Sequence, residues 1–489
     1  MAMLDLAAGQ ADGPPGLADF ARAYRSGRTS PLEVLEATLA AIGESDRADP
    51  PLRAVIRTCD ERARGEAARS AERWKRGAPL SPLDGVPVLI KDNTEVAGVP
   101  ISNGTVLDFP LPAADARPVA RLVAAGAVIV GKANQCEIGA GATGINVHFG
   151  SARNPHDPTR WCGGSSSGSA SAVAAGLVPL SLATDAGGSV RSPAAFVGAV
   201  GLKPTFGRIS RIGMSILCDT LDHYGPITHS CADAAAALVT LASVERDDEE
   251  TWDQPPLPDI AGALAALDQP IAGLRVGVAS RVFAHPRVDP AIGEHIARAA
   301  DALAAAGARL ADVEVPDLDT SLMVGLVLLG AEGPSGMEEI LEAQHHKLGA
   351  DLQVLLRCGE HVTARDYLKA QRIRQQIRQS WRALFDQLDL VLMPTTGQVA
   401  GALRKDALKH GEIDEWSSSR AIVCTFPQNL TGFPAVSVPC GRIGALPVGA
   451  QLIAPPWQEL CALRAGAALE RAGLYRWRRP ERYLGDRIL

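Results

Sequence analysis

No two of the nine cysteines are spaced Cys-x-x-Cys, and His-Glu-x-x-His occurs nowhere in the chain. Zinc frameworks need such spacings, so no metal is expected, and no cofactor motif stands up to inspection. An odd number of scattered cysteines in a chain of 489 residues reads as free thiols in a reducing, cytoplasmic setting. Long apolar runs are missing as well. Ser171–Ala183 and Met323–Ala331 fall well short of the ~20 residues that span a bilayer. Met1 to Gly16 lacks the basic start and apolar core of a signal peptide, so neither export nor membrane attachment is expected. No basic run stands out, and a formal net charge of −7 opposes binding to a nucleic-acid backbone. Aromatic residues are only 4% of the chain, yet 46% of it is apolar, enough for a large aliphatic core.

Lysine is scarce too: eight lysines stand against 40 arginines. A GC-rich genome exchanges lysine for arginine wherever the exchange is harmless. Lys91, Lys132 and Lys203 have escaped it, and all three lie in the glycine-rich first half. Of these, only Lys91 closes an unbroken aliphatic triplet, Val88-Leu89-Ile90. A lysine stripped of water tends to lose its proton and can then act as a base, which arginine cannot do. Two glycine-flanked serines lie 24 residues apart downstream. The first is Ser165, in Gly163-Gly164-Ser165-Ser166-Ser167-Gly168-Ser169. The second is Ser189, in Thr184-Asp185-Ala186-Gly187-Gly188-Ser189-Val190-Arg191. A Gly-Gly-Ser by itself is usually a turn, and a lysine after an apolar run is often the wet end of a strand. Their joint occurrence reads as a hydrolase with a serine nucleophile and a lysine base.

The remaining patterns place these residues. Residues 17–75 read as helical, with a cap and proline at Thr29-Ser30-Pro31 and a break at Pro50-Pro51. Strands are predicted over 86–90, 127–130 and 180–184, the last running straight into the second serine turn. Small residues from Ser169 to Gly176 predict a closely packed helix, and Cys231 to Ser243 another. The acidic, proline-rich stretch 244–273 reads as a surface linker. Beyond it come a strand at 274–278, a helix opened by Asp289-Pro290, a strand at 311–315 and a mostly helical stretch over 319–387. Strands at 388–393, 433–440 and 448–454 and a helix from Glu459 to Ala472 complete the chain. Strands mixed with helices throughout indicate an α/β class. The expectation is a single large domain over 1–489, with a mixed central β-sheet covered by helices on both faces.

Competing motifs fail on context. Gly139-Ala140-Gly141-Ala142-Thr143-Gly144 has dinucleotide-loop spacing, but polar Asn134 to Glu137 precedes it and no helix follows, so a loop shaped around the site is expected. Gly163 to Ser169 lacks the lysine of a phosphate-binding loop. Gly164-Ser165-Ser166-Ser167-Gly168 fits a nucleophile elbow around Ser166, but that mechanism needs a late histidine. The last one, His410 between Lys409 and Gly411, carries no catalytic mark. A Ser-x-x-Lys pair does not occur at Lys91, Lys132 or Lys203.

Together these segments resemble the amidase signature family. The likeness is strongest over 83–230: Gly-Val-Pro-Val-Leu-Ile-Lys-Asp ending at Asp92, Asn154-Pro155-His156-Asp157, both serine turns, Gly201-Leu202-Lys203-Pro204-Thr205 and Gly225-Pro226. It is weaker at Met393-Pro394-Thr395 and from Asn429 to Gly441. The resemblance implies a catalytic triad of Lys91, Ser165 preceded by a cis peptide, and nucleophilic Ser189. It also implies an oxyanion hole from the amides of Ala186, Gly187, Gly188 and Ser189, with Asp185 and Arg191 as an ion pair holding the turn. The implied reaction is hydrolysis of small amides, with anilides and carbamates (urethanes) among the candidates, through an acyl-enzyme and without a cofactor. The implied state is a monomer or homodimer. Substrate choice is expected from the variable 320–400 stretch, where Met323, Val324, Leu326, Val327, Leu328 and Leu329 either line an acyl pocket or form helix core. A second function from the same family is that of the glutaminase component of a glutamyl-tRNA amidotransferase, its A chain. The arginine-rich stretch those components use for glutamine is not found around Leu355 to Gly359. Ala186 and Ser192 depart modestly from relatives, which often have threonine or a larger aliphatic at the first position and glutamine at the second.

Overall fold

The computed structural model describes residues 13–333, 337–405, 407, 411 and 414–483. Most of the stretch 1–16, and His410 with Lys409, lie outside them. Thirteen strands are described. Eleven form one sheet: β1 (Val55–Thr58), β2 (Pro87–Lys91), β3 (Val128–Ala133), β6 (Leu180–Asp185), β7 (Val200–Lys203), β8 (His223–Thr228), β9 (Arg275–Val278), β10 (Arg309–Asp312), β11 (Leu390–Pro394), β12 (Ala435–Ile443) and β13 (Leu446–Ile453). Their spatial order is β1-β3-β2-β6-β8-β7-β12-β13-β11-β9-β10. β3, β2 and β6 run parallel, as do β11, β9 and β10, while β8, β7, β12 and β13 join the two blocks in antiparallel fashion. The sheet is therefore mixed. A small hairpin, β4 (Arg153–Asn154) with β5 (Asp157–Trp161), stands apart.

Period-two alternation explains why both faces are covered. Leu89, Val128 and Val130 point to one side, where they pack with Ala170, Ala172 and Val173 of the helix Ser167–Ala175. Val88, Ile90 and Ile129 point to the other, against Val119 and Leu122 of the helix Arg117–Ala124 and Ala237 and Leu241 of the helix Cys231–Leu241. Aliphatic side chains fill both layers, consistent with the scarcity of aromatics.

Several expectations shift. Val55–Thr58 is a strand inside the stretch read as helical. It pairs antiparallel with β3 at the sheet edge, because four residues with β-branched Val, Ile and Thr after the Pro50-Pro51 break suit an extended edge better than one helical turn. The strand expected at 311–315 lies two residues earlier, at Arg309–Asp312. The 244–273 stretch is more than a linker: it contains the helix Ile260–Leu267, whose Ala263 and Leu267 are buried. β7 and β12 pair directly across it in sequence, so one sheet serves both halves of the chain. Thr29-Ser30-Pro31 does open a helix, Pro31–Arg47, with Ser30 and Glu33 forming a reciprocal capping box.

Candidate active site

The parallel strands β2, β3 and β6 end side by side, and the chemistry-bearing residues lie at their carboxyl ends, where open α/β sheets bind ligands. Lys91 is the last residue of β2 and pairs with Ala133 at the end of β3. Thr184 and Asp185 are the last two residues of β6. Lys91 has no exposed surface. Its Nζ lies 2.7 Å from Ser165 Oγ and 2.8 Å from Thr184 Oγ1. Burial lowers the Lys91 pKa to about 8, against the pull of Cys136, Asp222 and Asp185. A neutral fraction of about one tenth is therefore present at pH 7, far more than for an exposed lysine. Asn93 Nδ2 donates to the same Thr184 hydroxyl at 3.1 Å, fixing it from the far side.

The Gly164–Ser165 peptide bond is cis. Its backbone is held on both flanks: Gly164 N–H donates to Ala142 C=O at 2.8 Å, and Cys136 N–H to Ser165 C=O at 3.1 Å. The glycine-spaced loop 139–144 thus wraps the first serine turn. A Cβ on Gly144 would lie 2.5 Å from the Gly163 carbonyl oxygen, so that contact requires glycine. Ser166 Oγ donates to Thr184 C=O at 3.2 Å, tying the first turn to β6.

Ser189 sits on the turn between β6 and the helix Arg191–Val197. From Trp161 to Thr205 every residue is buried except Ser189. The turn is set from beneath by Asp185, whose carboxylate accepts from the amides of Gly188 at 2.8 Å and Val190 at 3.1 Å. Arg191 closes on the same carboxylate through Nε at 3.0 Å and Nη2 at 2.9 Å, with both side chains fully buried. Burial alone would push the Asp185 carboxyl up, but the Arg191 guanidinium holds it well below the usual carboxylate range. The Gly188 amide is committed to Asp185, which leaves the amides of Ala186, Gly187 and Ser189 without a partner among the described residues.

Residues far along the chain brace this turn, and their roles are not evident from sequence spacing. Thr425 Oγ1 donates to Gly187 C=O at 2.7 Å, Asn429 Nδ2 to Asp185 C=O at 2.8 Å, and Arg191 Nη1 to Gln451 Oε1 at 2.7 Å. A Cβ on Gly187 would lie 2.7 Å from Phe426 Cζ, so the aromatic ring presses on the bare backbone. Asn429 falls in the weaker stretch of family likeness; Thr184 and Asn93 flank recognisable residues. Thr425, Phe426 and Gln451 carry no such signal.

Above the turn, Ala186 packs in an apolar cluster with Leu107, Ile138, Leu217, Met337, Leu348 and Leu352. The 320–400 stretch contributes to this cluster, but mostly through residues beyond those expected. Met323 and Leu326 are 60% and 40% exposed, and Val324 and Leu328 face the main core. Only Leu329 of that helix reaches the cluster. The reason is the direction of the helix Leu318–Glu332, which packs on the helices Ala364–Leu384 and Phe426–Thr431.

With this geometry in view, comparison with known proteins is decisive. The chain matches the Amidase family over residues 34–463. It belongs to the amidase signature family. One relative is the A chain of the glutamyl-tRNA(Gln) amidotransferase of Chloroflexus aurantiacus, 35% identical over 94% of this chain and 96% of that one. A fatty acid amide hydrolase of Medicago truncatula is likewise 35% identical, over 95% of this chain and 77% of that one. Among solved structures, the native peptide amidase from Stenotrophomonas maltophilia superposes with a TM-score of 0.82 at 30% identity, covering 95% of this chain and 98% of that one. Membership makes the chain a hydrolase acting on amides. Among the described residues, no group of three or more His, Cys, Asp or Glu is placed to hold a metal ion. No helix among them is long and apolar enough to cross a membrane. All nine cysteines are free thiols.

Proposed function

We propose that this amidase-family chain hydrolyses the C–N bond of small, uncharged amides on its own, with anilides and carbamates within its range, through Lys91, Ser165 and Ser189. The buried contact of 2.7 Å between Lys91 Nζ and Ser165 Oγ carries the reading. A neutral amine has one lone pair. With one N–H directed to Thr184 Oγ1, that lone pair is free to face the Ser165 hydroxyl.

Lys91 accepts the Ser165 proton, Ser165 accepts the Ser189 proton, and Ser189 Oγ attacks the carbonyl carbon. The carbonyl oxygen becomes an oxyanion received by the amides of Ala186, Gly187 and Ser189, which have no other partner among the described residues. The C–N bond then breaks, and the proton returns through Ser165 to the leaving nitrogen. Water attacks the acyl-Ser189 ester with the same lysine as base, releasing the acid. A carbamate passes through a similar tetrahedral oxyanion, so the same hole serves it. The apolar wall of Ile138, Leu217, Met337, Leu348 and Leu352 favours an apolar acyl or aryl group over a charged one.

The test is a screen of the purified single chain against alkyl amides, anilides, esters, carbamates and glutamine. Turnover of an uncharged amide without partner or tRNA supports the proposal. A second reading, the glutaminase component of a glutamyl-tRNA amidotransferase, draws on the 35% identity to such a protein. Hydrolysis of glutamine alone, and only with a copurified partner, would decide for it.

A further inference from the structure

Glu137 takes no part in the chemistry proposed above, yet it is 5% exposed and lies next to the site. Both of its carboxylate oxygens accept from the Gly349 amide, at 3.0 and 3.1 Å. His148 Nε2 lies 2.6 Å from Oε1 on its other side. Gly349 is the cap of the helix Ala350–Gly359, so the carboxylate also sits at that helix's positive end. The contact is close: a Cβ on Gly349 would lie 2.5 Å from Glu137 Oε2, so the carboxylate would have to shift to admit one.

The neighbour of Glu137 supplies an independent sign. Ile138 adopts φ 45°, a left-handed conformation that a β-branched residue takes only when its surroundings force it. Its amide donates to Asn103 C=O at 2.8 Å, and its buried side chain joins Ala186 and Leu217 in the apolar cluster above the nucleophile turn. Leu348 and Leu352, on either side of Gly349, belong to the same cluster. One dipeptide therefore does two things. Ile138 forms part of the wall, and Glu137 pins the opposite part to the signature core. Further polar contacts of this segment include Lys347 with Asp108 at 3.1 Å on the surface, the Asp108 amide with Gln344 Oε1 at 3.4 Å, and Asn103 with the Met337 sulfur at 3.5 Å.

We infer that Glu137 is a positioning residue for selectivity: by clamping Gly349 it sets the depth of the apolar wall and so the preference for extended apolar acyl groups. This rests on the amidase reading above. Neither Glu137 nor His148 touches Lys91, Ser165 or Ser189 through any hydrogen bond described, so the clamp acts on the acyl group and not on proton transfer.

The experiment compares kcat/KM for a hexanoyl anilide and an acetyl anilide in the wild type, Glu137→Ala, Glu137→Gln and Gly349→Ala. Deuterium uptake of 345–359 is measured alongside. The hexanoyl-to-acetyl ratio should fall about tenfold in Glu137→Ala, through KM, the scale of one charged hydrogen bond. Gly349→Ala should reproduce the fall from the other side of the contact, and Glu137→Gln, which keeps an acceptor for the amide, should recover most of it. Uptake at 345–359 should rise in the two alanine variants. A merely structural residue would lower both substrates alike, and an unchanged ratio with raised uptake overturns the inference. Unchanged uptake overturns the clamp itself. A wild-type chain that hydrolyses neither anilide overturns the amidase reading and the selectivity claim with it, while uptake still decides whether the clamp exists.

Discussion

Activity should follow the protonation of one buried amine. Lys91 serves as base only when neutral, and burial sets its pKa near 8. Half of the enzyme is then competent at that pH, and each unit below it costs about tenfold, so kcat/KM at pH 6 should stand near one hundredth of the plateau. Initial rates on an uncharged anilide from pH 5.5 to 10 would trace this limb without interference from the substrate. Asp222 supplies an internal control. Its carboxyl, pushed up to about 6 by burial, raises the Lys91 pKa when ionised. Asp222→Asn keeps an acceptor for the Leu217 and Cys218 amides and should move the midpoint to lower pH. Stability carries the same signature with a definite sign. Because the folded pKa lies below the ordinary value of 10.5, the unfolded chain binds the extra proton between about 8 and 10.5. The penalty, roughly 3 kcal/mol, is complete below about pH 8 and is relieved as the pH rises to 10.5. Lys91→Met should therefore be inactive yet resist urea better than the wild type at pH 7, an advantage that vanishes by pH 10.5. A rate that is flat between pH 6 and 9, or a midpoint at 10.5, would refute the argument.

Three further outcomes are expected. Ser189→Ala should abolish turnover, and Ser165→Ala should lower it severely, both with wild-type circular dichroism; wild-type rates in Ser189→Ala would sink the mechanism. Gly187→Ala, which drives a methyl group into Phe426, should lower kcat about a hundredfold, the scale of one lost oxyanion donor, as read by single-turnover kinetics. Arg191→Met strands the buried Asp185 carboxylate and should cost about 3–5 kcal/mol in urea unfolding, with a shift of less than 1 kcal/mol counting against the ion pair as the turn's support.

The legibility of the chain follows the range of its interactions. Lys91 after Val88-Leu89-Ile90, and the glycine-flanked serines, are local patterns, and they mark residues that lie at or beside adjoining strand ends. Strands such as β2 and β3, built on the unbroken aliphatic triplets Val88-Leu89-Ile90 and Val128-Ile129-Val130, are equally plain. The edge strand Val55–Thr58 escapes because its identity depends on pairing with β3, more than seventy residues later. The helix Ile260–Leu267 hides within acidic and proline-rich flanks. The Gly188 amide shows the limit most clearly. Its sequence position suits an oxyanion donor, but its direction is decided by the Asp185 carboxylate, and orientation is not written in spacing. The apolar cluster beside Ala186 escapes for a related reason: which face of the helix Leu318–Glu332 meets it depends on the neighbours that helix packs against, not on its own apolar run.

The bracing of the nucleophile turn has a consequence for how the protein is made. Arg191 is satisfied by Thr425, Asn429 and Gln451, all translated more than two hundred residues after it. Until those residues leave the ribosome, the first half of the chain holds an arginine–aspartate pair whose guanidinium lacks these acceptors, in a sheet where β7 has β8 on one side and not yet β12 on the other. On the proposed mechanism, Ser189 is synthesised early and its turn is set in place late, so a chain truncated before Thr425 should carry the whole signature and show no amide turnover.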